Sequence, residues 1–258
     1  MGTEGDRMTT GKSGYGETTA AAAEGSFKPT ARSRVKRLPK RGHYDRETVY
    51  AVLDAGLIAH IGYVIDGQPF VTPTAYWREG DMLYWHGSAA SRMLEHVGEG
   101  IPVSVTVTHL DGLVLARSGF HHSINYRSVM AFGRAHFVDD PAAKMAAFEA
   151  FVERIYPGRW PELRPATAQE VKGTSVLGMK IEEASAKIRT GGPVDDDEDY
   201  ALPIWAGVLP IRTVVGAAIP DEKLTPGIER PAHLSIFRAE TEFDALMMRA
   251  ARSAKAAE

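Results

Sequence analysis

The middle of the chain is a succession of β-forming runs separated by tight-turn signals. Asp66-Gly67 stands between "LIAHIGYVI" and "QPFVTPTAYW", and Asp111-Gly112 stands between "IPVSVTVTHL" and "LVLARS". Asp-Gly between two such runs predicts a two-residue hairpin, and strands joined in this way pair antiparallel. Because a closed antiparallel sheet leaves no exposed edge, the pattern predicts a mainly β (α+β) fold built around a barrel.

A few helices interrupt the strands. Asp45 is the predicted N-cap of a helix in "HYDRETVYAVLDAG", and Asp140, followed by Pro141, is the predicted N-cap of a helix in "DDPAAKMAAFEAFVERIYPG". In the long strand "YRSVMAFGRAHFV", Gly133 indicates a bulge or kink. We interpret "SVLGMKIEEASAKI" as a single last strand, and the Pro-broken run "WAGVLPIRTVVGAAIP" as a segment that drapes over the folded body.

Composition narrows the class of protein. The 258 residues are 44% hydrophobic and 24% charged, include no cysteine and carry a formal net charge of -3. These values exclude disulfides and thiolate sites, and the acidic balance argues against a nucleic-acid-binding protein. No apolar run approaches the roughly 20 residues that cross a bilayer, and we find no signal peptide. We therefore expect a cytoplasmic protein with no membrane or nucleic-acid partner.

Shifts in composition along the chain suggest three regions. Residues 1–34 are rich in Gly, Thr, Ala and Glu and are predicted to form a disordered tail. Residues 35–235 hold the periodic runs and are predicted to form one folded domain, and residues 236–258 form a C-terminal tail or helix. Residues 32–41 are crowded with Arg and Lys, which we interpret as a solvated surface; a nucleic-acid or membrane contact is the weaker alternative.

The stretch "WHGSAASRM" leaves two interpretations open. Ser88 stands where an N-cap would precede a short helix, and a serine cap needs no ligand. A helix N-terminus also favours a bound phosphate, and Ser91 and Arg92 add a hydroxyl and a guanidinium fork suited to phosphate oxygens. These residues alone do not decide between a cap and a phosphate site.

The nine histidines do not form a recognisable metal motif. His121 and His122 are adjacent, so in extended chain they point to opposite faces, and no carboxylate lies beside them at ligand spacing. We therefore expect no metal site. His60, inside an apolar strand, is more typical of a core histidine than of a ligand.

The order of these blocks resembles the flavin-binding split-barrel family of pyridoxamine 5'-phosphate oxidase, in the branch that includes nitroimidazole-resistance proteins. The resemblance extends from about Val35 to His233 and is carried by "RGHYDRETVYAVLDAG", "DGQPFVTPT", "LYWHGSAASRML", "VTVTHLDGLVLARSGFHHSINYRSVMAFG", "SAKIRTG" and "YALPIWAGVLP". It implies a six-stranded antiparallel split β-barrel with a few peripheral helices. It also implies a homodimer with FMN at the subunit interface, which makes residues 35–235 an FMN-binding domain.

The resemblance further implies which residues bind FMN, and it favours phosphate binding over the simple cap. They are Thr72, Pro73 and Thr74 beside the isoalloxazine ring, His86, Ser88, Ser91 and Arg92 at the ribityl chain and phosphate, Asn125, Tyr126, Arg127 and Ser128 in a second polar block, and Trp205 in a segment that reaches across the dimer. The basic strand and the substrate-phosphate arginines of the vitamin B6 oxidases have no counterpart here. This departure argues against oxidation of pyridoxamine phosphate.

Two functions follow from the resemblance. The first is an FMN-dependent oxidoreductase acting on a nitro-compound or a quinone-like acceptor, with NAD(P)H as a candidate electron donor and His60 and Tyr126 as candidate catalytic residues. The second is a non-catalytic protein that stores or senses flavin or heme. Some relatives of this fold bind heme or a deazaflavin in place of FMN, and the candidate axial ligands of a heme are His60, His86, His121 and His122.

Overall fold

A computed structural model describes the chain over residues 25–255, with side chains described as far as residue 251. The strands are β1 (Gly42–His43), β2 (Ile58–Ile65), β3 (Gln68–Glu79), β4 (Met82–Ser88), β5 (Glu99–Leu115), β6 (Ser123–Phe137), β7 (Thr174–Lys180), β8 (Glu183–Arg189) and β9 (Gly207–Pro210). The helices are α1 (Arg46–Asp54), α2 (Arg92–Val97), α3 (Pro141–Ile155), α4 (Ala168–Gly173) and α5 (Phe243–Lys255). None of the described helices is both long enough and apolar enough to cross a membrane.

Six strands close into a ring in the order β6-β7-β4-β3-β2-β5, with β5 returning to β6. Every pairing in the ring is antiparallel. Outside the ring, β8 pairs with β6 and carries β1 on its other edge, while β9 pairs with β5. The arrangement confirms the predicted six-stranded antiparallel split barrel with peripheral helices.

The barrel interior is filled by alternate residues of the ring strands. On β2, Ala59 and Ile61 are fully buried, whereas Ile58 and Val64 are exposed. Trp85 of β4 and Val105 of β5 face the same interior and are also fully buried. Each large apolar side chain removed from water in this way contributes about 1.5–3 kcal/mol to folding, so the period-two pattern fixes which face of every strand turns inward.

One of the two predicted Asp-Gly hairpins is present. Asp66 and Gly67 adopt φ angles of 50° and 78° and join Ile65 to its ladder partner Gln68, as a two-residue turn requires. The hairpin predicted at Asp111-Gly112 is wrong, because β5 continues through these residues with only a shift in register between Leu110 and Gly112. Gly112 pairs with β6 on one side and β9 on the other, and this long-range pairing outweighs the local turn preference.

Two further strand predictions need correction. Gly133 is not a bulge, since it pairs in regular register with Val103. It is required for close approach instead, because a Cβ there would lie 2.3 Å from the carbonyl oxygen of Lys180. The last predicted strand is in fact two, β7 and β8, which pair with different neighbours and are separated at Ile181.

The predicted helix caps are confirmed at both positions. The Asp45 carboxylate accepts a hydrogen bond from the backbone N–H of Thr48 at 2.7 Å, and Asp140 accepts one from Ala143 at 2.7 Å. Both signals are local, since a carboxylate at the N-cap satisfies an amide that the helix itself leaves unpaired.

The chain on either side of the barrel packs against it. Phe27 is 3% exposed within the main core, and its N–H donates to the carbonyl of Tyr44 at 2.8 Å. Residues 25–34 therefore contact the barrel, in contrast to the tail predicted there; residues 1–24 lie outside the described residues. At the other end, α5 packs against α3 and α1, and Arg154 of α3 donates to the carbonyl of Met247 at 3.3 Å.

Candidate functional site

The predicted phosphate-binding turn joins β4 to α2. The structure does not use Ser88 as an N-cap, because Ser88 still belongs to β4, where it pairs with Thr174. Its hydroxyl accepts a hydrogen bond from the N–H of Ala90 at 3.3 Å within the turn. The cap position is Ser91, immediately before the helix begins at Arg92. The predicted role of Ser88 as a cap is therefore wrong, and the cap lies three residues later.

Two polar side chains of this turn make no hydrogen bond or ion pair with the described residues. Ser91 is half-buried, and its hydroxyl makes no capping hydrogen bond. Arg92 is exposed, its guanidinium carbon lies 4.8 Å from the centroid of the Phe70 ring, and no carboxylate among the described side chains pairs with it. A free hydroxyl and an unneutralised guanidinium fork are the groups that bind phosphate oxygens.

The Phe70 ring connects Arg92 to the stretch predicted to line a flavin ring. Tyr63 stacks on Phe70 with ring centroids 5.6 Å apart, and the Tyr63 hydroxyl lies 3.0 Å from that of Thr72. Thr74 lies two residues further along the same face of β3 and donates to the carbonyl of Ala75 at 3.3 Å. Tyr63 and Phe70 were not among the predicted residues, although the period-two alternation of β2 and β3 places them on the same face as Thr72 and Thr74.

His60 lies on the outer face of the barrel, opposite Pro73 on β3 and Thr106 on β5. It is exposed, so its interpretation as a core histidine is wrong: the alternation of β2 turns Ala59 and Ile61 inward and His60 outward. Several exposed apolar side chains lie on the same outer face, namely Ile58, Val64, Val71 and Met130, which are 54%, 55%, 67% and 46% exposed. A patch of this kind on a soluble protein typically marks an interaction surface.

Tyr126 shares that outer face but lies away from His60. On β6, Met130 is opposite Thr106, the neighbour of His60, and Tyr126 lies four residues further along the strand. At about 3.3 Å per residue this is roughly 13 Å. Within one chain the two candidate catalytic residues therefore do not form a single reacting pair.

The second predicted polar block is engaged in hydrogen bonds within the chain. Asn125 accepts a hydrogen bond from Arg189 and donates to the carbonyl of Gly191 at 3.0 Å. The Ser128 hydroxyl donates to the carbonyl of Lys187 at 3.2 Å. These bonds fix the end of β6 against β8.

Arg127 of the same block is bound by two carboxylates. Its guanidinium lies 2.7 Å from Asp111 and 2.5 Å from Asp244, the latter on α5. The hydrogen bonds to Asp111 raise the pKa of Arg127, whereas burial lowers it. The hydrogen bonds have the larger effect, so the pKa lies above its usual value. Arg127 thus anchors α5 to the barrel.

The predicted cofactor residues fall into two groups, the phosphate turn with Thr72–Thr74, and the second polar block with Trp205. The phosphate turn and Asn125 lie towards opposite ends of the barrel, whereas Thr72–Thr74 pairs with residues 59–61 of β2 near its middle. Phe137, at one end of β6, pairs with β7, and β7 pairs with β4, which leads into the phosphate turn. Asn125, at the other end of β6, pairs with Gly112 of β5. Twelve residues of strand span about 40 Å. Trp205 lies beside Gly207, at the start of β9, and is 64% exposed at the Asn125 end.

The loop before β6 holds the histidine pair. Nδ1 of His122 lies 2.9 Å from the carbonyl oxygen of Ser118, so this nitrogen carries the proton and donates it. The imidazole is exposed, which leaves Nε2 as a free electron-pair donor facing solvent. His121 is oriented differently, with Nδ1 3.6 Å from the carboxylate of Asp195.

Asp195 is the centre of a charged cluster that the sequence did not indicate. Its buried carboxylate accepts hydrogen bonds from the backbone and the guanidinium of Arg117, both at 2.9 Å. Burial raises the pKa of Asp195, but the hydrogen bonds from Arg117 more than offset it, so the pKa lies below its usual value. Ligand atoms of His121, Asp195 and Asp199 lie within 4.8 Å of one another. Because Arg117 already neutralises Asp195, we interpret the cluster as an ion pair that joins two loops.

His86 lies in an aromatic layer between the barrel and α3. Its ring is 5.0 Å from Phe148, 4.8 Å from Phe151 and 6.0 Å from Trp77, centroid to centroid. Nδ1 is buried and has no hydrogen-bond partner among the described residues. Burial lowers the pKa of His86, so the imidazole is neutral at physiological pH.

A cavity of about 960 Å³ opens beside this layer, between α3 and α4. We call it the α3–α4 cavity; its walls include Lys144, Met145, Phe148, Trp160, Leu163 and Thr174. It lies next to the phosphate turn, because Thr174 is the ladder partner of Ser88 and the N–H of Ala89 donates to the carbonyl of Gly173 at 2.9 Å. No pattern in the sequence indicated this cavity.

Comparisons with known proteins agree with this architecture. The family profile described as pyridoxamine 5'-phosphate oxidase matches residues 45–188. Among solved structures, the flavocytochrome Anf3 from Azotobacter vinelandii shares 47% sequence identity over 81% of this chain and 98% of its own, with a TM-score of 0.77. The FAD and heme binding protein from Mycobacterium smegmatis shares 36% identity over 79% of this chain and 98% of its own, with a TM-score of 0.75. No curated protein sequence matches the chain.

Proposed function

Because the chain belongs to the pyridoxamine 5'-phosphate oxidase family of flavin-binding split barrels, we propose that it is a redox protein that binds a flavin and a heme. The observation that carries the proposal is 47% identity to a flavocytochrome over 98% of that protein's length. When bound, the flavin supplies two-electron and the heme one-electron transfer, and the chain binds and orients them.

The phosphate turn fits the flavin. Ser91 presents a hydroxyl with no capping hydrogen bond, and Arg92 presents a guanidinium that no described carboxylate neutralises and that lies over the Phe70 ring. The Tyr63–Phe70 pair connects them to Thr72. We propose that Arg92 and Ser91 hold the flavin phosphate and that the stretch Thr72–Thr74 lies along the flavin ring. This assignment keeps the first of the two groups predicted from the sequence.

The histidine loop fits the heme. A histidine that binds iron through Nε2 usually donates its Nδ1–H to a backbone carbonyl, which fixes the tautomer and the ring orientation. His122 meets this requirement through Ser118 and has an exposed Nε2. His86 is enclosed by rings, and His121 turns to Asp195, so we propose His122 as an axial ligand.

A homodimer would complete the site. The phosphate turn and Asn125 lie towards opposite ends of one barrel, and the outer face that carries His60 exposes Val64, Val71 and Met130. We propose that this face is covered by a second copy, which brings its Trp205 end towards the phosphate turn. Light scattering at micromolar concentration should give the mass of a dimer, and a monomeric mass would contradict this part of the proposal.

The absorption spectrum of the purified protein tests cofactor binding. We expect a flavin band and a heme Soret band in the same protein. His122→Ala should lose the Soret band and retain the flavin band, whereas the neighbouring His121→Gln should retain both. Loss of the Soret band in His121→Gln but not in His122→Ala would transfer the ligand role, and a parent protein with neither band would refute the proposal.

Oxidoreductase activity on a nitro-compound or a quinone-like acceptor is the second element of the proposal. It is supported by the exposed position of His60, which leaves an imidazole available for proton transfer beside the surface that the second copy would cover. Anaerobically reduced protein should be reoxidised by a quinone or a nitroaromatic compound, and His60→Ala should slow this step. Reoxidation by neither compound would leave a binding protein without this activity.

A further inference from the structure

We infer that a basic loop beside β1 binds the surface of a membrane that contains anionic phospholipids, so that the protein attaches peripherally to such a surface. The loop consists of residues 36–41, "KRLPKR", and we call it the basic loop. From the sequence alone, a solvated surface was the stronger interpretation of this stretch and a membrane contact the weaker one. The inference does not depend on the flavin or the heme.

The basic loop projects from an anchored base. Val35 and Gly42, which flank the loop, lie against each other, since a Cβ on Gly42 would be 2.9 Å from the Cβ of Val35. The N–H of Val35 donates to the hydroxyl of Tyr44 at 2.8 Å, and Gly42 pairs with Lys187 of β8. Because both ends of the loop are fixed beside each other, its six residues form one closed protrusion, and their side chains share a small region of the surface.

The basic loop presents an apolar side chain at its tip. Leu38 adopts φ 55° and ψ 61°, the left-handed region that glycine and asparagine favour, and it is 47% exposed. Its carbonyl accepts a hydrogen bond from the N–H of Arg41 at 2.9 Å, which closes the turn. Neither water nor the turn itself favours a leucine at this position. Insertion of the side chain into the interfacial region of a lipid layer does favour it.

The cations of the basic loop are not neutralised within the chain. No carboxylate among the described side chains pairs with any of the four, which are Lys36, Arg37, Lys40 and Arg41. The positive field extends to β8, where burial and, after it, the nearby charge of Arg41 lower the pKa of Arg189. Such a cluster attracts anionic head groups although the whole chain carries a net charge of -3, because each cation close to an anionic lipid surface adds to the affinity.

The apolar tip favours a lipid surface over a nucleic acid. Proteins that bind single-stranded nucleic acid combine cations with aromatic side chains on which the bases stack, and the basic loop contains no aromatic residue. A lipid surface offers phosphate groups to the cations and, directly below them, an apolar layer to Leu38. The loop matches this order, because two cations stand on each side of its Leu38-Pro39 tip.

Sedimentation of the full chain with lipid vesicles tests the inference. Vesicles of phosphatidylcholine with about one-third phosphatidylglycerol should bind the protein, and vesicles of phosphatidylcholine alone should not. Arg37→Gln combined with Lys40→Gln should weaken binding to the anionic vesicles roughly 30-fold, because two charges at the surface are lost. Leu38→Asn should weaken it roughly three- to tenfold, since the apolar contact is lost while asparagine still accepts the left-handed backbone of the turn.

A matched double variant outside the basic loop serves as the control. Lys172→Gln combined with Lys223→Gln removes the same charge at two exposed lysines, and it should keep the parental affinity for the anionic vesicles. Thermal midpoints verify that every variant is folded. Absence of binding by the parent, or equal losses in the control and in the Arg37 and Lys40 double variant, would overturn the inference. Preferential binding of a single-stranded oligonucleotide, lost with the two charges and unaffected by Leu38→Asn, would overturn it in favour of a nucleic-acid contact.

Discussion

The ring of Phe27 lies edge-on against the ring of Tyr50, with centroids 6.1 Å apart and planes inclined at 77°. The guanidinium carbon of Arg46 lies 4.2 Å from the centroid of the Phe27 ring. Through these contacts the chain before the barrel becomes part of the core around α1.

We therefore expect Phe27→Ala to lower the free energy of unfolding by about 3–5 kcal/mol, as buried Phe-to-Ala changes do. Lys28→Ala, at the next and exposed position, should change it by less than about 0.5 kcal/mol. Urea denaturation of the two variants measures the difference. A loss below about 1 kcal/mol for Phe27→Ala would mean that residues 25–34 do not support the core.

Asp54 neutralises two buried arginines. Its carboxylate lies 2.5 Å from Nη2 of Arg78 and 3.8 Å from Nη2 of Arg154. Asp54→Ala should lower the free energy of unfolding by about 3–5 kcal/mol, because it leaves two buried cations without their counter-charge. Arg212→Ala, which breaks an exposed ion pair with Glu242, should cost less than about 1 kcal/mol in the same thermal or urea denaturation. Equal losses would contradict the predicted role of burial.

Gly133 is the tightest backbone approach between β6 and the end of β7. Since a Cβ would lie 2.3 Å from the carbonyl oxygen of Lys180, Gly133→Ala should destabilise the protein by about 1–3 kcal/mol or prevent folding. Gly173→Ala is the matched control, because a Cβ there meets nothing within 4 Å. Comparison of thermal midpoints checks the pair, and an unaltered midpoint in Gly133→Ala would be inconsistent with the packing described.

His86 should make the fold sensitive to acid. Burial lowers its pKa below 6.5, so between about pH 5 and 7 the unfolded chain takes up a proton that the folded chain does not. The stability that the neutral imidazole contributes is therefore fully present above the pKa of His86 in the unfolded chain. It is lost as the pH falls from that pKa to the lower pKa of the folded chain. Between about pH 7 and pH 5, the urea midpoint should therefore fall less in His86→Phe than in the parent. A steeper fall in the variant would reverse the predicted sign.

Arg92→Ala should discriminate flavins by their phosphate. Removal of a charge-assisted contact should weaken FMN or FAD by roughly ten- to a hundredfold and leave riboflavin, which has no phosphate, nearly unaffected. Ser91→Ala should cost little stability, because its hydroxyl makes no capping bond, yet it should weaken phosphate-bearing flavins. Titration of the three flavins against each variant provides the measurement; equal losses for riboflavin would remove the phosphate from this turn.

The sequence predicted correctly those features that depend on hydrogen bonds between residues close together in the chain. Asp45 and Asp140 were identified as caps because the group each satisfies lies three residues away in sequence. The dipeptide Asp-Gly was informative at Asp66 and misleading at Asp111, although the residues are the same. At the second position, Gly112 pairs with β6 on one side and with β9 on the other. This pairing depends on strands that are distant in sequence, so the local sequence could not predict it.

The candidate site shows the same division. The sequence identified Ser91 and Arg92 through their spacing. In the structure the Ser91 hydroxyl makes no capping hydrogen bond, and the Arg92 guanidinium has no carboxylate partner among the described residues and contacts the Phe70 ring. It could not indicate that Asp195 meets Arg117, 78 positions earlier in the chain, because no periodic pattern connects them. The α3–α4 cavity was missed for a similar reason, since its walls come from two helices, a loop and a strand that only the folded chain brings together.

The separation of the phosphate turn from Asn125 along β6 has a thermodynamic consequence. If one bound cofactor contacts opposite ends of two copies, cofactor binding and dimer formation are thermodynamically coupled, and each favours the other by mass action. Dilution should then release cofactor even when free cofactor is held constant, and cofactor-loaded chains should stay associated at concentrations where empty chains come apart. Cellular abundance of the chain would in this way set the fraction that is redox-competent.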